Sequence, residues 1–74
     1  MNFREIRLKA GLTITEASKR IGVSPSTISR WEDGINNPIA FRLPKIAEVY
    51  GCDLQELIDI VFKRVGGERI ANAT

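Results

Sequence analysis

Ser26, Ser29, Arg30 and Asp33 fall at helical spacing within the segment Gly22-Val23-Ser24-Pro25-Ser26-Thr27-Ile28-Ser29-Arg30-Trp31-Glu32-Asp33-Gly34. On a helix they share one side, and Ile28 and Trp31 give an apolar face on the other. The polar side is small and hydrogen-bonding, and it carries one guanidinium. A guanidinium can bond guanine O6 and N7 together, so this face suits a helix laid against base edges. Both ends of such a helix are written locally. Ser24 can accept a backbone N–H as N-cap, Pro25 occupies the first position, where a missing donor costs nothing, and Gly34 can take the left-handed conformation just past the end.

These side chains need a scaffold, and the glycines mark it out. Gly11, Gly22, Gly34, Gly51 and Gly66 each follow a segment with helical periodicity, as expected of residues just past helix ends. Five helices result. The first covers about residues 2–10, with Phe3, Ile6 and Ala10 inward. The second covers about 14–21 behind Thr13 as N-cap, with Ile14, Ala17 and Ile21 inward. The third is the segment above. Residues 34–41 carry turn chemistry and predict a surface loop with buried anchors. Pro44 is tolerated only in a first turn, so the fourth helix has its body at about 43–50, with Leu43, Ile46, Ala47 and Tyr50 as core. The fifth opens with Asp53 as N-cap and Glu56 as its capping-box partner, and its stripe is Leu54, Leu57, Ile58, Val61 and Val65. No alternation supports a strand. The fold class is all-α, a compact five-helix bundle, with a domain over residues 1–65 and a flexible tail over 66–74.

Composition narrows the function. The chain has 74 residues, 43% hydrophobic and 27% charged, which is one small globular domain. The formal net charge is only +2, but its distribution is uneven. Residues 1–30 are rich in Arg and Lys and residues 51–74 lean acidic. Either a mixed solvated surface or a basic half that meets phosphates accounts for this. Cys52 is the single cysteine, which excludes an intrachain disulfide and reads as a small packing residue in a reducing setting. The first ten residues are charged, and Asp59 interrupts the apolar run at 57–62, so neither a signal peptide nor a membrane span is expected and the location reads as cytoplasmic. The sequence has no histidine, no metal-ligand cluster, no Gly-rich phosphate loop and no serine with an evident base. It reads as neither an enzyme nor a cofactor-binding protein.

The link Gly22-Val23-Ser24 is too short for antiparallel packing and right for the sharp bend of a helix-turn-helix. The second helix offers unpaired amides and a positive dipole end at its start, a natural seat for phosphate, with the Thr13 and Thr15 hydroxyls beside it.

Gly11-Leu12-Thr13, Ala17, Ile21-Gly22-Val23-Ser24, Ile28-Ser29-Arg30-Trp31-Glu32 and Gly34 together resemble the lambda-repressor-like helix-turn-helix family of Cro/CI (XRE) type, over roughly residues 3–60. The resemblance implies a five-helix domain whose third helix enters the DNA major groove, acting as a dimer on palindromic operators to regulate transcription. It implies base contacts at Pro25, Ser26, Ser29 and Arg30. It implies phosphate contacts at Arg7, Thr13, Thr15, Lys19, Ser24, Asn36 and Asn37, although turn formation explains the two asparagines equally well. It also implies an internal ion pair between Arg7 and Glu32. The chain departs from the family at Ile14, where Gln is common, and in the loop after Gly34, which lacks the usual Lys or Arg.

The expected function is therefore a sequence-specific DNA-binding transcriptional regulator, a phage or bacterial repressor bound to operator duplex. The competing reading is a protein-interaction module, such as an antitoxin, antirepressor or assembly factor, that kept the fold with weak DNA affinity. With no ligand-sensing domain in the sequence, control falls to a protein antagonist or to concentration. Ile60 and Phe62 lie on opposite flanks of the fifth helix's stripe and are expected to form the homodimer surface. A two-fold pairing there sets the recognition helices about one DNA turn, ~34 Å, apart. The alternative is that Phe62 folds back over Tyr50 or the 39–41 loop.

Overall fold

Helix starts are fixed where a side chain can pair an amide that the helix leaves open. In the computed structural model, which describes residues 1–63, α1 (Phe3–Lys9) begins behind Asn2. The Asn2 Oδ1 accepts the Glu5 N–H at 2.8 Å, and Glu5 Oε1 accepts the Asn2 N–H at 3.0 Å. α2 (Ile14–Ile21) repeats this reciprocal arrangement with Thr13 and Glu16. α3 (Pro25–Asp33) starts behind Ser24, whose Oγ accepts the Thr27 N–H at 3.2 Å, with Pro25 at its head. α4 (Leu43–Tyr50) carries Pro44 in its first turn and follows a short 3-10 turn at Ala40–Arg42, which takes in the end of the expected 34–41 loop. α5 (Leu54–Val61) follows Asp53.

The capping box expected at Asp53 and Glu56 does not form. The Glu56 N–H donates to the Asp53 backbone carbonyl at 3.1 Å, and the Asp53 carboxylate makes no cap bond. The boxes lie instead at α1 and α2, where the same spacing is present.

The fold is all-helical among the described residues, with one core built from every helix. Phe3 and Ile6 of α1, Ala17 and Ile21 of α2, Ile28 and Trp31 of α3, Leu43, Ile46, Ala47 and Tyr50 of α4, and Leu57 and Ile60 of α5 are buried together with Leu12. α2 packs on α3 and α4, α1 on α3, and α5 on α4. The Phe3 and Trp31 rings meet at 6.5 Å between centroids, tilted by 42°. Aromatic pairs favour such offset or tilted contacts, and this one ties the first helix to the third.

Helix 5 is rotated from the expected face. Ile60, expected on the surface, is only 9% exposed, while Leu54, expected in the stripe, is 40% exposed. Ile60 and Ile6 line one depression beside Met1 and Asn2. Phe62 stays 52% exposed. In the loop after α3 Pro38 is buried, whereas Ile35, Ile39 and Phe41 are all exposed. Val65 and the expected tail at 66–74 lie outside the described residues.

Candidate nucleic-acid interface

The α2–α3 bend is made by three residues. The Gly22 and Val23 amides both donate to the Ser18 carbonyl, at 2.8 and 3.0 Å, which closes α2. Gly22 holds φ at +91°, a left-handed conformation that other residues adopt only with strain. Val23 then packs against the core, and Ser24 opens α3. Ile28 and Trp31 seat the inner side of α3, so its opposite side is turned to solvent. There Pro25, Ser26, Arg30 and Asp33 are exposed and Ser29 is half-buried. The helix ends at Gly34, with φ +76°. The Ile35 and Asn36 amides return to the Arg30 carbonyl at 3.0 and 3.3 Å. Arg30 is thus held by its backbone, and its side chain makes no ion pair with another described residue.

Arg7 and Glu32 are brought together beneath this face. Arg7 Nε donates to Glu32 Oε2 at 2.6 Å and Nη2 to Oε1 at 3.0 Å, a bidentate pair. Arg7 Nη1 donates to the Leu12 carbonyl at 2.9 Å. The hydrogen bonds that the guanidinium donates to Glu32 hold it protonated above its ordinary range, against the opposing effect of burial. At 6% exposure with all three nitrogens bonded inside, Arg7 is committed to joining α1, α3 and the α1–α2 turn. These bonds leave Arg7 little freedom to reach the phosphate expected beside it.

The start of α2 is more crowded than the sequence suggests. The Thr13 N–H is bonded by Glu16 Oε1 at 3.0 Å and the Glu16 N–H by Thr13 Oγ1 at 3.1 Å, leaving the Ile14 and Thr15 amides for an incoming anion. The backbone and hydroxyl of Thr13 keep the Glu16 carboxyl below the ordinary carboxylate range, so a negative charge stands at this seat. Thr13, Thr15, Lys19, Ser24 and Asn36 are exposed and Asn37 is half-buried. Ser24 Oγ also shares a 2.9 Å hydrogen bond with Thr27 Oγ1, a residue the sequence reading passed over. Glu16 was passed over too, although its three-residue spacing from Thr13 is the capping-box signature. No group of acidic, histidine or cysteine side chains among the described residues can hold a metal ion. No described helix is long and apolar enough to cross a membrane.

A bend of this length, joining a capped α2 to an α3 with one face in the core and one in solvent, defines a helix-turn-helix. A helix-turn-helix family model of the XRE type matches residues 3–57, and the chain belongs to that family. It is a family of DNA-binding transcription regulators and not a class of enzyme. The chain is also similar to an uncharacterized HTH-type transcriptional regulator of Archaeoglobus fulgidus, 39% identical over 54 residues that span 73% of this chain and 77% of the relative. No solved structure matches.

Proposed function

We propose that the chain is a sequence-specific DNA-binding transcriptional regulator, a repressor of phage or bacterial type that acts by occupying operator DNA. α3 enters the major groove with Pro25, Ser26, Ser29 and Arg30 toward base edges. Thr13, Thr15, Lys19, Ser24, Asn36 and Asn37 meet the phosphates on either side. Two copies act together on a palindromic site through the α5 side of the molecule. The observation that carries this reading is the outward face of α3, where Arg30 stands exposed on a helix braced from behind by Ile28, Trp31 and the Glu32 carboxylate paired with Arg7. Family membership and the name of the archaeal relative support it.

Selection of bound sequences from a random duplex pool, followed by titration of the selected site, tests it. Arg30→Ala is expected to weaken binding by about 1–3 kcal/mol and to relax preference at one base position. Equal weakening on selected and random duplex would make Arg30 a phosphate contact instead. The second reading, a protein-interaction module, is favoured by the uncharged stretch at 35–41 with its exposed Ile35, Ile39 and Phe41. A duplex shift that weakens linearly in log salt separates the two, because only phosphate contacts release counterions.

A further inference from the structure

Two depressions on the α1–α5 side of the molecule share Met1, Ile6 and Glu56 in their linings. The larger, about 480 Å³, adds Ile60 to its wall and Asp59 and Lys63 to its rim. The smaller, about 250 Å³, runs to Lys9 at the end of α1 and to Tyr50 and Cys52 at the turn from α4 to α5. Tyr50 is only 5% exposed, yet its hydroxyl has no hydrogen-bond partner among the described residues. No fully enclosed side-chain oxygen among those residues lacks a partner. The Tyr50 hydroxyl is therefore the part of that side chain left open, and it lines the smaller depression. Lys9 and Glu56 are exposed there, and neither makes an ion pair with another described residue.

We infer that the two depressions together bind a free α-amino acid with a large apolar side chain. Lys9 and the Tyr50 hydroxyl hold its carboxylate, Glu56 holds its ammonium, and its side chain lies over Ile6 and Ile60. The inference does not rest on DNA binding. It adds a small-molecule ligand where the sequence pointed only to a protein antagonist or to concentration.

Three observations select this chemistry. The first is the open hydroxyl. A polar group so deep in the fold needs a partner, and a charged acceptor makes a hydrogen bond roughly twice as strong as a neutral one. Burial pushes the Tyr50 phenol up to about 12, so at neutral pH it keeps the proton that a carboxylate would accept. The second is the arrangement of charge. Lys9 borders the smaller depression, Glu56 borders both, and Ile60 borders the larger. A base, an acid and an apolar wall thus surround one place, as the carboxylate, ammonium and side chain surround one Cα. An organic anion would face Glu56, an amine would face Lys9, and an uncharged molecule would take water from both without pairing either. The third is the far end. Asp59, bonded by Gln55 Nε2 at 2.8 Å, and Lys63 offset each other at its rim, which favours an apolar side chain over a charged one.

Heteronuclear NMR of the full chain, titrated with L-phenylalanine and L-leucine, tests the site. Saturable shifts are expected at the Ile6, Gly51, Cys52 and Glu56 amides, with a dissociation constant on the order of 1 mM, as suits an open site. Tyr50→Phe keeps the ring that fills the core, and it should weaken L-phenylalanine binding about tenfold or more. Glu56→Gln, at an exposed position, should weaken it to a similar degree without moving the thermal midpoint. Phenethylamine and 3-phenylpropionate, which lack the carboxylate and the ammonium in turn, should each bind at least about tenfold more weakly than L-phenylalanine. Should Tyr50→Phe fail to fold, Glu56→Gln and the two analogues decide. Absence of saturable shifts up to about 20 mM of either amino acid, shifts confined to α2 and α3, or unchanged binding in Glu56→Gln overturns the inference. So does a folded Tyr50→Phe that binds as wild type does, or an analogue that binds as well as L-phenylalanine.

Discussion

Arg7 and Glu32 form a paired charge in a site that leaves each side chain 7% exposed. A buried ion pair contributes little net stability against an apolar substitute, but removing one partner strands a charge. Arg7→Ala and Glu32→Ala are each expected to destabilise the fold by about 3–5 kcal/mol, with the double variant much less than additive. A thermal-unfolding cycle measures the coupling, and additive losses would show that the two act separately. Tyr50 reports on the same region. Burial, and next the Glu32 carboxylate, push its phenol up to about 12. A raised folded pKa means that the stabilising contribution is fully present below the ordinary tyrosine value of about 10 and is lost as pH rises through about 12. The chain has one tyrosine, so phenolate absorbance reads it directly. The transition is expected near the alkaline unfolding midpoint and well above that of a solvated tyrosine.

At the scale of elements, the starts of α1 and α2 are each fixed by a carboxylate that reaches back to the cap. At α2 this has a functional consequence, because the Glu16 charge stands where a phosphate would sit. The lowered pKa of Glu16 gives the opposite sign from Tyr50. The capping contribution is present above the ordinary carboxylate range and is lost as pH falls through the lowered folded value. A carbon-detected NMR titration should place the Glu16 midpoint below that of a solvated glutamate, and Thr13→Ala, which removes one of its two bonds, should move the midpoint back up. Glu16→Gln can retain the box, because Gln offers the same acceptor, and it should strengthen duplex binding by removing the repulsion. Unchanged affinity would place the phosphates away from the start of α2.

For the molecule as a whole, a net charge of +2 and an Arg7 spent on structure leave few cations for the DNA backbone. Lys19 is the single cation among the proposed phosphate contacts, and Arg30 adds one charge in the groove. The log–log salt dependence of duplex binding is therefore expected to be shallow, with a slope of about −2 per copy. A much steeper slope would mean that Arg4, Lys9, Arg20 or Arg42 also reaches phosphate. A small electrostatic contribution per copy means that a second copy on the same duplex, as proposed, would matter more for affinity.

The residues of α3 and its two ends were legible in the sequence because local chemistry suffices for them. A serine cap, a proline at the first position, a glycine past the end and an apolar pair three apart act within one segment. The all-helical class and most of the core followed from the 3.6-residue period for the same reason. The face of α5 did not, because Leu54, Leu57, Ile58, Ile60, Val61 and Phe62 make it apolar on more than one side, and a period then fits several rotations. Only tertiary packing, with α5 set against α4, buried Ile60 and left Leu54 and Phe62 outside. The fate of Arg7 was decided in the same way. The sequence offered it to a carboxylate, with an N–H left over for a phosphate. The approach of α1 to α3 enclosed it with Glu32, where a desolvated charge must be paired.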